Sequence, residues 1–212
     1  MLSFMSVRTA FGPSGRRFDE DHLLDAARAV LHAVGYSAAQ LTDIAQRAGT
    51  TRPTLYARLG SKEQIYRRVI KREADVFRAW IVEAYDQGAD LSLTQLARMG
   101  MDPLFRLAAE RSEGFGLLFL GDRTGDHPTS LRRQVLGAVT EQLACLIERR
   151  RESFGPALGP TAEALAAACV GVAIHVCEHA IDRGDDLEGA RQLAARFVAN
   201  AFHNLDFDAL AD

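Results

Sequence analysis

A chain of 212 residues that is 48% hydrophobic can bury a sizeable core, either as one large domain or as a small domain joined to a larger one. Three cysteines, Cys145, Cys169 and Cys177, form an odd set without a pairing framework, which argues against a disulfide scaffold and for free thiols in a reducing interior. The formal net charge of -3 hides an asymmetry: through Arg78 the chain carries 13 Lys and Arg against 8 Asp and Glu, and beyond it 12 against 20, a basic head that suits a polyanion and an acidic body.

Residues 1–18 mix Gly12, Pro13, Ser14 and Gly15 with Arg8, Arg16 and Arg17 and read as a mobile arm. This opening has no basic start followed by a long apolar run. The longest apolar stretch, Leu165 to Ile174, is half of the ~20 residues that span a bilayer, so the expected location is the cytoplasm, away from a membrane. From Asp19 the pattern is helical: Phe18, Leu23, Ala26, Ala27, Val30 and Leu31 share a face, acidic residues precede them, and Gly35 is the expected stop.

Leu41, Ile44, Ala45 and Ala48 recur at helical spacing, and Gly49 follows them. Glycine takes a left-handed turn without steric cost. Thr51 beyond it can cap a second short helix whose first turn tolerates Pro53. Two short helices joined by such a turn are the logic of a helix-turn-helix, whose second helix enters the DNA major groove. Ser61 and Gln64 have capping-box spacing and open a long helix through about Tyr85, after which Gly88 and Asp90 interrupt the pattern.

Further helical patterns cover Leu91 to Arg111, Phe115 to Leu120, Ser130 to Phe154, Thr161 to Arg183 and Leu187 to Leu205. Breaks fall at Gly121-Asp122, Asp126-His127-Pro128, Gly155-Pro156 with Gly159-Pro160, and Gly184-Asp185-Asp186. No alternating strand pattern competes with them. The expectation is an all-α protein of about nine helices.

Gly35-Tyr36, Asp43 to Gly49, Thr54-Leu55-Tyr56 and Ser61-Lys62-Glu63 together resemble the N-terminal pattern of the tetracycline-repressor (TetR) family in order and spacing. The resemblance implies an arm over 1–18, a three-helix DNA-binding head over 19–66, and a helical ligand-binding and dimerisation domain over 67–212. It implies base-edge reading by Thr51, Arg52 and Thr54, phosphate contacts by Tyr56 and Lys62, and Thr42, Thr50 and Pro53 beside them on the DNA-facing surface. Ala39-Gln40 departs from the family's usual Thr followed by Ser or Thr, which puts the cap and phosphate contact of the first short helix in doubt.

Phe77, Trp80, Tyr85, Met99, Met101, Phe105, Phe115 and Phe119 are large or adaptable apolar residues suited either to an ordinary core or to a cavity for an apolar or aromatic effector. His175, if it pointed inward, would add a polar contact. Leu165, Ala168, Cys169, Val172 and Val176 form one stripe and Leu193, Phe197, Ala201 and Leu205 another, spaced for a four-helix interface between two copies. A two-fold dimer matches a palindromic operator with half-sites about one DNA turn, or a multiple, apart.

His175, Glu178 and His179 match H-x-x-E-H, the pattern of one class of zinc peptidases. A catalytic zinc needs a third ligand, and Glu188 is the sole glutamate after His179. Core or interface histidines are the stronger reading, and neither a metal, another cofactor nor a catalytic group is expected. The functional expectation is therefore a ligand-responsive repressor. Its competitors are an architectural DNA-binding protein without an inducer and, remotely, a zinc-dependent hydrolase.

Overall fold

The computed structural model describes residues 19–86, 91, 93–120, 129–152, 158–206 and 208–209. Among them are nine α-helices, one π-helical stretch and no strand, in agreement with the all-α expectation. The N-terminal arm and the breaks at Gly88 and Asp90, 121–122, 126–128 and 155–156 lie outside the described residues.

Helix α1 (Glu20–Ala38) buries Leu23, Leu24, Ala26, Ala27 and Leu31 and carries Glu20 and Asp21 in its first turn. Gly35, with φ 75°, breaks the helical path without ending it: a further turn continues to Ala38, where the expected stop was three residues earlier. Helix α2 (Leu41–Arg47) turns Ile44 and Ala45 inward, and Ala48 behind it is buried as well. Gln40 precedes α2 without a side-chain cap, the consequence anticipated from Ala39-Gln40.

Gly49 makes the turn at φ 65°. A side chain there would strain a backbone that glycine adopts freely. Thr51 then accepts a hydrogen bond from the Thr54 backbone N–H at 3.4 Å and opens α3 (Arg52–Leu59), with Pro53 in the first turn, where no N–H is needed. Leu55 and Leu59 bury one face of α3 against the head.

Both hydrogen bonds of the capping box form before α4 (Lys62–Asp86): the Ser61 N–H donates to Gln64 Oε1 at 2.7 Å and the Gln64 N–H to Ser61 Oγ at 3.3 Å. Helix α4 is continuous across residue 66, so the same helix that packs on α1 in the head reaches α5 in the body. Buried Ile65, Val69, Ile70, Ala74, Phe77 and Ile81 join the two regions into one apolar core.

The body contains α5 (Leu93–Glu110), α6 (Ser112–Phe115), a π-helical stretch (Gly116–Leu120), α7 (Thr129–Glu152), α8 (Pro160–Arg183) and α9 (Leu187–Asn204). Helix α5 lies along α9 and α7 along α8. The helix expected from Phe115 starts at Ser112 and widens at Gly116, and two backbone positions there are pressed against side chains of α4 and α1. A Cβ on Gly114 would collide with the Glu73 carboxylate, and one on Gly116 would stand 2.6 Å from His32 Cε1.

The Glu148 carboxylate of α7 accepts from the N–H groups of Leu158 at 3.0 Å and Gly159 at 2.6 Å and so fixes the start of α8. Asp186 caps α9 by accepting from the N–H groups of Glu188 and Gly189. By length and composition α8 passes as a membrane span, although its longest uninterrupted apolar run is short. It packs between α7 and α9 with 28% of its most apolar window buried.

Candidate nucleic-acid interface and effector cavity

The faces of α3 separate core from surface. Leu55 and Leu59 point inward, while Arg52, Pro53 and Tyr56 are exposed and Thr54 is half-buried. Arg52 and Tyr56 stand one turn apart on the same side, with 58% of Tyr56 accessible. Thr42 is exposed on α2 and Thr50 half-buried in the turn. Thr51 and Thr54 share a hydroxyl–hydroxyl hydrogen bond of 2.9 Å, so both serve the helix start as well as facing outward.

Lys62, expected to contact phosphate, is engaged within the head. Its ammonium donates to the Ser37 carbonyl at 3.0 Å and lies 4.7 Å from the centre of the Tyr36 ring, which meets Tyr66 edge-on at 5.1 Å. This cation clamps the end of α1 to the start of α4.

Cations of α4 next to the head are also paired. Arg68 reaches Glu20 and donates to the Arg58 carbonyl at 3.2 Å, Arg67 meets Glu63 at 2.7 Å, and Arg72 meets Asp25 at 2.7 Å. Among the described residues, Arg47 and Arg52 make no ion pair. Cations of the helix-turn-helix that are not held in ion pairs are available to meet phosphates or base edges.

Sequence reasoning missed the polar centre of the molecule. Glu73 is fully buried, and Arg111 donates to both of its carboxylate oxygens, at 2.7 and 2.8 Å. Arg28 approaches at 3.4 Å and Arg72 at 3.5 Å, while Arg28 also donates to Glu113 at 3.0 Å. Burial pushes the Glu73 carboxyl up, but the Arg111 hydrogen bonds and the charges of Arg111, Arg28 and Arg72 outweigh it and hold the group below its ordinary value. The overlooked signal was Glu73 itself, three and four residues from buried Ile70 and Val69 on the apolar stripe of α4.

A cavity of about 80 Å³ lies in the body. Phe77 and Ile81 of α4, Met101 of α5, Phe119 of the π-helical stretch, Ile147 of α7 and Ala173 of α8 are among its walls. The lining is apolar except for the Cys169 thiol, which burial pushes up to about 11. Phe119 meets Phe77 edge-on at 5.2 Å and Phe115 at 5.4 Å.

Of the expected cavity residues, Phe77, Met101 and Phe119 are in the lining and the others are not. Phe115 is fully buried behind Phe119, and Trp80 lies under the Arg106 guanidinium at 4.2 Å. Met99 is half-buried outside the cavity. Phe105 faces a shallow groove between α5 and α9, rimmed by Arg106 and Arg191. His175 points out of the fold, its side chain 80% exposed and 3.4 Å from Glu178.

Cys169, expected on the interface stripe, falls instead on the buried face of α8 with Ala166 and Ala173 and lines the cavity. On that stripe Ala168 is exposed and Leu165, Val172 and Val176 are half-buried. Leu193 and Phe197 are 63% and 61% exposed, and Ala201 is exposed beside them. His179 is exposed too, and among the described residues no group of three or more His, Cys, Asp or Glu is placed to hold a metal ion.

Residues 23–69 match the family model described as bacterial regulatory proteins, tetR family. Over that segment the chain carries the N-terminal domain that this model describes. The proteins it is similar to in sequence include both an activator and a repressor. Over 140 residues, 64% of this chain, it is 30% identical to the HTH-type transcriptional activator FasR of Mycolicibacterium smegmatis, spanning 63% of that protein's length. Over 62 residues, 29% of this chain, it is 40% identical to the HTH-type transcriptional repressor ComR of Escherichia coli, spanning 30% of that protein. In fold it is similar to FadR from Bacillus subtilis in complex with stearoyl-CoA, with a TM-score of 0.72 and 16% identity over 85% of this chain and 98% of the other.

Proposed function

We propose that this chain is a dimeric TetR-family transcriptional repressor that binds a palindromic operator in the cytoplasm and is released by a small apolar effector. The observation that carries the reading is the capped helix α3, which buries Leu55 and Leu59 while presenting Arg52 and Tyr56 on its open face. Arg52 reads a base edge, and Tyr56 sets the register on the backbone. The head takes residues 19–66 and the effector and dimerisation body 67–212, with α4 common to both.

The apolar lining of the cavity supports an uncharged chain or ring as the part of the effector that is buried. At about 80 Å³ the cavity is smaller than the ~300 Å³ at the low end of ligand pockets, so binding has to widen it. The stearoyl-CoA in the FadR complex makes an acyl chain a reasonable first probe. Effector that binds better to the widened form lowers DNA affinity, and DNA lowers effector affinity by the same factor.

The direct test is selection of bound fragments from the source genome with wild type and with an Arg52→Ala, Tyr56→Ala double variant. A few palindromic sites, lost in the variant, are the expected result. Dispersed sites would favour the architectural role, and equal enrichment by both proteins would remove α3 as the reader.

A further inference from the structure

We infer that His175 and His179 chelate a zinc ion on the outer face of α8, with Glu178 as a positioning residue for the His175 ring. The site is non-catalytic, and its test needs neither the operator nor the effector assigned above.

The two histidines stand one turn apart on one face of α8, the spacing at which a pair of helical imidazoles takes a single metal ion. Both are exposed, and the His175 side chain is 80% accessible, so an ion reaches them from solvent without any opening of the fold. Helix α8 continues past them to Arg183, which fixes their backbone spacing before an ion arrives. A chelate on such a preformed element loses little freedom on binding beyond that of the two side chains.

Glu178 decides which ring nitrogen of His175 is offered. Its Oε2 lies 3.4 Å from His175 Nδ1. With the Nδ1 proton held by that carboxylate, the lone pair of Nε2 is left for the metal, the arrangement that orients many ligating histidines. Imidazole nitrogen suits zinc, whereas magnesium and calcium take oxygen ligands. Asp182, exposed and three residues beyond His179, adds negative charge beside the ion. The same geometry separates this pair from the peptidase pattern its spelling resembles. Glu178 is turned to a histidine, and among the described residues no larger set of metal-binding groups is assembled, so two protein ligands hold the ion and water takes its other positions.

The ion would staple a helix that also walls the cavity, since Cys169 and Ala173 line it from the inner side of α8. An unfolded chain does not hold the two rings at this spacing, so zinc favours the folded form and raises the melting temperature.

The test is calorimetric titration of zinc chloride into the full-length protein after chelator treatment. Wild type is set beside His175→Ala, His179→Ala, Glu178→Gln and, as a control at an exposed position of α9, His203→Ala. Melting curves without zinc verify that each variant folds. Wild type and His203→Ala are expected to bind zinc alike and to melt higher with it. His175→Ala and His179→Ala are each expected to weaken binding by about 100-fold or more, because the chelate reverts to a single anchor. Glu178→Gln is expected to weaken it by about tenfold. Imidazole nitrogen NMR is expected to find zinc on Nε2 of His175 with Nδ1 still protonated, and Glu178→Gln to mix the two tautomers. Absence of zinc binding in wild type, or equal binding by wild type and both histidine variants, would overturn the site. Loss in only one histidine variant would overturn the chelate, and an unchanged His175 tautomer in Glu178→Gln would overturn the positioning role.

Discussion

Thr51, Arg52 and Thr54 share the start of α3 but do different physical work. The Thr51 hydroxyl is bonded to Thr54 and accepts its N–H, so it is held by the helix start, whereas Arg52 projects from it. Arg52→Ala is expected to cost about 1–3 kcal/mol of discrimination at one operator base pair and to leave folding unchanged. Thr51→Ala is expected to lower unfolding free energy by about 1 kcal/mol and to weaken all DNA alike. Binding titrations on single-base operator variants, set beside urea unfolding, separate the two effects. An Arg52→Ala protein that lost affinity evenly over every variant would place Arg52 on phosphate.

At the scale of elements, the parts decided by local chemistry were readable from the sequence. The Gly49 turn, the Thr51 cap and the Ser61–Gln64 box each need only neighbouring residues, and each stands where the residue pattern puts it. Positions that depend on a partner helix were less legible. Cys169 and Ala168 are adjacent in the same apolar stripe, yet only packing against α5, α7 and α9 decides that the first enters the cavity and the second faces out. The junction of α1, α4 and α6 was invisible for the same reason, since its ion pairs join residues 38 and 45 positions apart. That junction has a pH signature. Glu73 titrates lower in the folded chain than in the unfolded one, so its contribution is fully present above the unfolded carboxyl value near 4.5 and is lost as pH falls through the folded value. Glu73→Gln is expected to cost about 3–5 kcal/mol at pH 7, because three guanidinium groups lose their common partner. That difference from wild type is expected to shrink below pH 4.5 in urea unfolding. A constant difference from pH 7 down to 3 would mean that Glu73 acts through its shape and not its charge.

On the scale of the whole molecule, the exposed apolar face on α9 is the surface that the proposed dimer would use, and a palindromic operator would require that dimer to be two-fold symmetric. Leu193 and Phe197 lie one turn apart, each more than half exposed, with exposed Ala201 one further turn along α9 and exposed Ala168 on α8. Large apolar side chains beside small ones allow two copies to pack closely, and an isologous contact would bury every such residue twice. Phe197→Glu places one carboxylate per copy in that contact, and the symmetry brings the two charges near each other where water is scarce. The variant is expected to sediment as a monomer at micromolar concentration, where wild type sediments as a dimer, with its melting curve little changed because Phe197 contributes little to its own core. Its operator affinity is expected to fall by 100-fold or more, since one head loses the effective concentration supplied by the other. A single half-site should discriminate the two proteins far less. If Phe197→Glu remained dimeric and kept its operator affinity, the dimer would have to form through another surface, and the exposed face of α9 would be left without the partner assigned to it here.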